Sequence, residues 1–323
     1  MLGVRIAGTC AVLSGRRRAT DEIAADIGRD PVELARLSGV DARYWADDDT
    51  SVTDMAVQAV RGAADAAGLA LTDLERVVFV CSTGGDVLIP ANVNSVIHAL
   101  GLSGRAHGVD VNNACVGFLS GVDLAARSVA TGVGPTVVVA VEQLSPFVTP
   151  EYPRPYAVLA DAAAATVFVP PRGDEGVLGT YFGNDGAYRE SVSLAHSGLS
   201  GQPEHIRFGA SNRQLRAAAV EALTRSASMV LESTSLTFDD IDWFLPHQPN
   251  GNMLRVIVDG MGIPADRIVP IVQEIGSVGS VAIPYSLDRL LRTREIAAGQ
   301  HLLMLGVGAG MAYGAVLYRA GVS

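Results

Sequence analysis

The sequence predicts a layered α/β fold made of two similar halves. Three observations carry this expectation. Val/Ile-rich strands alternate with alanine-rich helices along the chain, matching residues recur at a constant offset of 165, and no Ser/Gly/Pro linker interrupts the alternation. The 323 residues are 49% hydrophobic and 18% charged, which suits about two structural units or one large one and excludes a disordered chain.

In chain order, residues 3–7 read as a strand, and this stretch lacks the charged start, apolar core and cleavage site of a secretory signal. Residues 55–66, 91–100 and 116–130 read as helices. Residues 77–80 and 136–141 are continuous apolar runs, as expected for strands covered on both faces. Residues 145–212 read as loops and turns, holding Pro146, Pro150, Pro153, Pro155, Pro170, Pro171 and a Gly-Asn-Asp-Gly turn at 183–186. Across the offset of 165, Leu71-Thr72 pairs with Leu236-Thr237, Phe79 with Phe244, Asp123 with Asp288, Arg127 with Arg292 and Gly134 with Gly299. The shared element order favours a duplication over chance recurrence, with halves at 1–170 and 171–323. Two halves packed about a pseudo-twofold axis would bring their equivalent loops to one site.

Charge and composition remove several function classes. All 24 basic residues are arginine, so a lysine Schiff base and a P-loop lysine are excluded. A net charge of −10 argues against nucleic-acid binding. Every apolar stretch falls short of the ~20 residues of a membrane helix. Cys10, Cys81 and Cys115 form neither a disulfide framework nor a zinc motif, which suits a reducing, cytoplasmic setting without a metal.

The strongest local signal is the polar turn Asp110-Val111-Asn112-Asn113-Ala114-Cys115, which leads into a helix. A cysteine at a helix N-terminus faces the positive end of the dipole, so Cys115 is expected to have a lowered pKa and act as a nucleophile. Cys10 and Cys81, within apolar strands, read as structural. His247 closes an apolar strand and opens the turn Gln248-Pro249-Asn250-Gly251-Asn252, and the repeat maps it onto Ser82. His98 on a helix, His107 and His205 in loops and His301 at a strand start read as surface or core histidines; His196 is undecided. The loop from Gln273 to Ser280 is the counterpart of the cysteine turn, with Ser280 opposite Cys115. Gly306-Val307-Gly308-Ala309-Gly310 lacks the context of a dinucleotide fingerprint, but its small residues would let backbone N–H groups approach an oxyanion.

These residues resemble the thiolase superfamily, and within it β-ketoacyl-acyl-carrier-protein synthase III. The resemblance rests on Asn113-Ala114-Cys115-Val116-Gly117-Phe118, on Pro246-His247-Gln248-Pro249-Asn250, on Gly276 through Ile283-Pro284 with Leu287-Asp288, and on Gly308-Ala309-Gly310 to Gly314. It implies a five-layered α/β/α/β/α fold of two duplicated halves, usually dimeric. By the same resemblance Cys115 is the acyl-accepting nucleophile and His247 the proton-transfer partner. The N–H groups of Cys115 and the Ala309 region form the oxyanion hole, and Asn250 lies beside the pantetheine arm. No cofactor is implied beyond the substrate itself, an acyl-CoA or an acyl group on the phosphopantetheine of an acyl carrier protein.

Two positions depart from the condensing members. Ser277 stands where they carry an asparagine whose amide donates to the enolate formed by decarboxylation of a malonyl thioester. A serine hydroxyl is shorter and has one donor where the amide has two. Asn252 stands where they carry an arginine that docks the carrier, leaving Arg213 and Arg216 as candidate docking charges or as an ordinary solvated helix face. The expectation is therefore an acyltransferase that moves an acyl group through acyl-Cys115 to a hydroxyl or a second thiol, in polyketide-type secondary metabolism. The alternatives are decarboxylative condensation and an inactive thiolase-fold dimer partner.

Overall fold

The computed structural model describes residues 1–201, 204–209 and 212–321, with Ser197 and residues 212–214 described by their backbone. Two five-stranded mixed sheets form its frame. The first runs Arg5–Val12, Ala162–Val169, Thr136–Glu142, Arg76–Val80, His107–Val111; the last three strands are parallel, and the other pairings are antiparallel. The second runs Leu2–Gly3, Gly176–Asn184, Ala312–Arg319, His301–Gly308, Trp243–Pro246, and only its last pairing is parallel.

The apolar runs dictate the layering. All seven residues of Thr136–Glu142 are buried, because helices cover both faces of its sheet. Helices Gly117–Ala130 and Ala282–Thr293 lie between the sheets and supply Phe118, Leu119, Ile283 and Leu287 to the central core. Helix Val52–Ala67, started by a reciprocal Ser51–Asp54 capping box, packs Met55, Ala59 and Ala63 on the outer face of the first sheet. Helix Gly251–Met261 packs Met253 and Ile257 against the second sheet, in the core that also holds Leu223 and Val230. The result is the expected five-layered α/β/α/β/α sandwich.

The internal repeat is visible in the geometry. The turns Ala114–Val116 and Gly279–Val281, the helices that follow them, and the strands starting at Thr136 and His301 all recur 165 residues apart. In both central helices the repeated pair forms the same ion pair, Arg127 with Asp123 and Arg292 with Asp288, each at 2.8 Å. One detail of the repeat needs correction. Arg76 lies beside Thr136 but Trp243 lies beside Leu302, so this strand is offset by 166 and His247 falls opposite Cys81 rather than Ser82.

Three local expectations also change. Residues 145–212 are not only loops: they supply strands Ala162–Val169 and Gly176–Asn184, one to each sheet, with Pro170 and Pro171 at the crossover between them. The opening strand is two strands. Leu2–Gly3 pairs with the second sheet and Arg5–Val12 with the first, with the fully buried Val4 at the switch. His107 begins the edge strand His107–Val111 instead of lying in a loop. None of the helices among the described residues is long and apolar enough to cross a membrane.

Candidate active site

Cys115 sits in the turn Ala114–Val116, directly ahead of helix Gly117–Ala130. Ala114 takes a left-handed conformation at φ 46°, which costs a residue bearing a Cβ on the order of 1 kcal/mol. The two asparagines before it hold the turn. Asn112 accepts from Ala114 N–H at 3.2 Å and donates to the Ser82 carbonyl at 3.1 Å, and the Asn113 amide donates to Ser120 Oγ at 3.0 Å.

The glycine-rich end of strand His301–Gly308 closes over the cysteine. A Cβ at Gly308 would lie 2.8 Å from the Cys115 nitrogen and 3.0 Å from its Cβ, so only glycine fits without displacement. The N–H groups of Cys115 and Ala309 both approach the sulfur. Two backbone donors converging there can hold the oxygen of a thioester as it gains charge. Gly308→Ala is expected to push this pair apart and slow acylation of Cys115 by about 10²–10³-fold, measured as single-turnover adduct formation by protein mass.

His247 follows strand Trp243–Pro246, and its backbone N–H donates to Leu305 O at 2.7 Å. The side chain is 3% exposed, and its Nδ1 is buried without a hydrogen-bond partner among the described residues. Gln248 locks the loop: its amide donates to Val269 O at 2.8 Å and Ser286 Oγ at 3.1 Å, and its oxygen accepts from Ile271 and Val272 N–H at 2.9 and 3.2 Å. Asn250 caps helix Gly251–Met261 by accepting from Met253 N–H at 2.8 Å. The Asn252 amide donates to the Arg36 and Leu37 carbonyls at 2.9 and 2.6 Å, tying this helix to helix Pro31–Ser38.

One cavity of about 670 Å³ brings Cys115, His247, Ser277, Gly308 and Ala309 together, and Asn250, Asn252 and the exposed Arg216 line it as well. Its apolar wall includes Leu144, Ala157, Ile206 and Phe208. Ser277 is 5% exposed; its N–H donates to Val158 O at 2.7 Å and its carbonyl accepts from Ala160 N–H at 3.0 Å, so its position is held by backbone bonds. The side chain of Arg213 lies outside the described residues.

The electrostatics overturn the expectation of a ready thiolate. Burial, and then the charge of Glu142, push the Cys115 thiol up to about 12, outweighing the two N–H groups that pull it down. Burial also pushes the His247 imidazole down to about 4. At neutral pH the pair is therefore thiol and neutral imidazole, and the thiol needs a base at the moment of attack. An uncharged imidazole can serve as that base.

Comparison with known proteins identifies the family. The chain matches the family models described as 3-Oxoacyl-[acyl-carrier-protein (ACP)] synthase III over residues 109–186 and its C terminal region over 231–320. It is 30% identical to a 3-oxopimeloyl-[acyl-carrier-protein] synthase of Rhodothermus marinus, covering 97% of this chain and 93% of that protein. It is 27% identical to a beta-ketoacyl-[acyl-carrier-protein] synthase III of Neisseria meningitidis, with 98% of each covered. The chain belongs to the synthase III family of the thiolase superfamily. The synthase III of Pseudomonas aeruginosa superposes with a TM-score of 0.91 at 26% identity, over 99% of both chains. The priming β-ketosynthase of the R1128 polyketide pathway gives 0.91 at 25% identity, over 99% of this chain and 96% of that one.

As a member of the synthase III family the protein is an acyltransferase-class enzyme that works on thioesters. The remaining candidates sort by position. His98, His107 and His196 are exposed, His301 hydrogen-bonds to Asp240 O at 3.0 Å, and His205 stacks at a tilt near Tyr152. Glu274, left open by the sequence, pairs with Arg289 at 2.9 Å on the surface. Ser280, also left open, is fully buried and donates to Glu142 at 2.6 Å. Glu142 escaped the sequence reading because it closes an apolar strand and belongs to no motif; its one signal is a charge ending a seven-residue buried run.

Proposed function

We propose that the protein takes an acyl group from a carrier-protein or CoA thioester onto Cys115 and passes it to a hydroxyl or a second thiol. The sulfur loses its proton to the His247 imidazole as it attacks the thioester carbonyl carbon. The N–H groups of Cys115 and Ala309 hold the oxyanion, and collapse of the tetrahedral species releases the donor thiol, which takes the proton back. In the second half, His247 removes the acceptor's proton while the acceptor attacks acyl-Cys115, and the proton returns to the leaving sulfur. Asn250 and Asn252 serve as lining for the pantetheine arm, and Arg213 and Arg216 as docking charges for the carrier. The enzyme works as a homodimer.

The observation that carries this reading is Ser277, which lines the cavity holding Cys115 and His247 where the condensing members have asparagine. Acyl transfer needs a nucleophile, a base and an oxyanion hole. Decarboxylation also needs donors for the enolate oxygen, and loss of one such donor typically costs about 10²–10³ in rate. A second reading, decarboxylative condensation, is favoured by the names of the relatives, which are synthases.

Incubation with an acyl-carrier thioester should add the acyl mass to the wild type and not to Cys115→Ala. Labelled malonyl thioester should then separate the two readings, because transfer releases no carbon dioxide while condensation releases it with a ketoacyl product. Ser277→Asn is expected to raise carbon dioxide release by about 10²–10³-fold. Rapid release by the wild type would favour condensation.

A further inference from the structure

Thr136–Glu142 is a buried apolar strand that ends in a carboxylate 0% exposed. That carboxylate has no cation partner among the ion pairs of the described residues. It is satisfied by four donors instead. One oxygen accepts from Ser82 Oγ at 2.6 Å and Ser82 N–H at 3.4 Å; the other accepts from Ser280 Oγ at 2.6 Å and Ser280 N–H at 3.2 Å. Such short contacts suit hydroxyls donating to an ionised carboxylate.

The two serines belong to different halves of the duplicated fold. Ser82 follows strand Arg76–Val80 and lines the cavity with Thr83. Ser280 is the repeat counterpart of Cys115, in the turn Gly279–Val281 that follows Ser277 and shares Gly279 with the cavity wall. A Cβ on Gly117, two residues beyond the nucleophile, would lie 3.8 Å from Ser280 Cβ, and one on Gly279 would lie 3.1 Å from the Glu142 carboxyl carbon. The carboxylate thus ties together two cavity walls that flank the Cys115 turn.

We propose that Glu142 is a positioning residue for acyl transfer: its carboxylate joins the Ser82 loop to the Ser280 turn and keeps a negative charge beside the Cys115 turn. This rests on the acyl-Cys115 reading for its catalytic consequence but not for its charge effect. The bridge holds Ser277 and the Ser82 loop at fixed distances from the thioester. That charge adds to burial in keeping the thiol protonated, so reaction depends on His247 taking the proton. Burial pushes the Glu142 carboxyl above the usual carboxylate range, and the four serine donors pull it back toward the ionised form. The Glu142 charge also acts on Cys81, while Cys115 and His247 line the adjoining cavity, whose outer part carries Arg29, Glu33, Arg154 and Arg216.

The test uses the full-length enzyme and iodoacetamide, which needs no acyl substrate, with the label assigned to Cys115 by peptide mass. Removing the charge in Glu142→Gln should raise the Cys115 alkylation rate about threefold to tenfold at each pH between about 6 and 9. One unit of thiol pKa is tenfold in thiolate, part of which is lost to the lower nucleophilicity of a less basic sulfur. Glu142→Asp keeps the charge but is one methylene shorter. It should alkylate like the wild type while kcat for acyl transfer falls about tenfold or more with KM unchanged, since misplacement of about 1 Å can cost 10²-fold. If Glu142→Gln does not fold, Ser280→Ala keeps the carboxylate and removes one tie, and the same fall in kcat at constant KM is expected. Wild-type alkylation in Glu142→Gln, or wild-type kcat in Glu142→Asp and Ser280→Ala, would overturn the proposal. Absence of an acyl adduct on the wild type would overturn the acyl-transfer reading instead and leave the alkylation result standing.

Discussion

Cys115→Ala is expected to lose the acyl-enzyme adduct completely and to lower thioester turnover by about 10³-fold or more, since removal of a covalent nucleophile leaves only what the oxyanion site and binding contribute. The other two cysteines act as internal controls. Cys115 lines the cavity beside His247, whereas Cys10 and Cys81 are absent from its lining. Any adduct should therefore map to the peptide containing Cys115. An adduct that persists on Cys115→Ala would place the chemistry elsewhere and leave only the architecture intact.

His247→Asn should have the second largest effect, a fall of about 10²–10⁴-fold in the acylation step, and it should change the shape of the pH profile. In the wild type the imidazole must be neutral to accept the thiol proton. Its pKa is depressed by burial to about 4, so the rate should fall only as pH drops through that region. Above it, the rate should be nearly flat through neutral pH, because both partners keep one protonation state up to the thiol value of about 12. Without the base, only the thiolate fraction reacts, and the mutant rate should climb about tenfold per pH unit over the same range. Single-turnover rates of adduct formation measured from pH 5 to about 9 distinguish the two shapes. A wild-type profile that rises as steeply as the mutant's would show that His247 is not the base.

Much of this site was legible because its parts have local signatures. The cysteine turn announces itself as two polar residues before a small-residue helix start, and the structure assigns each asparagine a bond that holds the turn. His247 stands out as a charge-capable residue between an apolar strand and a helix cap. Gly308 stands out as a glycine in a strand that needs close approach. The duplication was readable from Asp123, Arg127 and their counterparts because both pairs form the same helical ion pair, so the same spacing was required twice.

Other features left no local trace. A register difference of one residue moved the partner of His247 from Ser82 to Cys81, because pairing along a strand is set by its neighbours and not by the residues it contains. The thiol expected to be acidic is instead pushed up: a helix start is visible in a string of letters, but the burial and the carboxylate that raise the thiol are not.

By itself the sequence determined the α/β alternation, the two related halves and the absence of lysine, since each follows from periodicity, composition or spacing, and its resemblance to the synthase III family singled out Cys115 and His247 as candidates. Only the tertiary structure decided that Cys115 and His247, 132 positions apart, share one cavity, that both are uncharged there, and that Glu142 bridges the loops beside them. Desolvation and convergence are properties of three-dimensional surroundings. They arise when distant segments exclude water from the same volume, and no single segment encodes them.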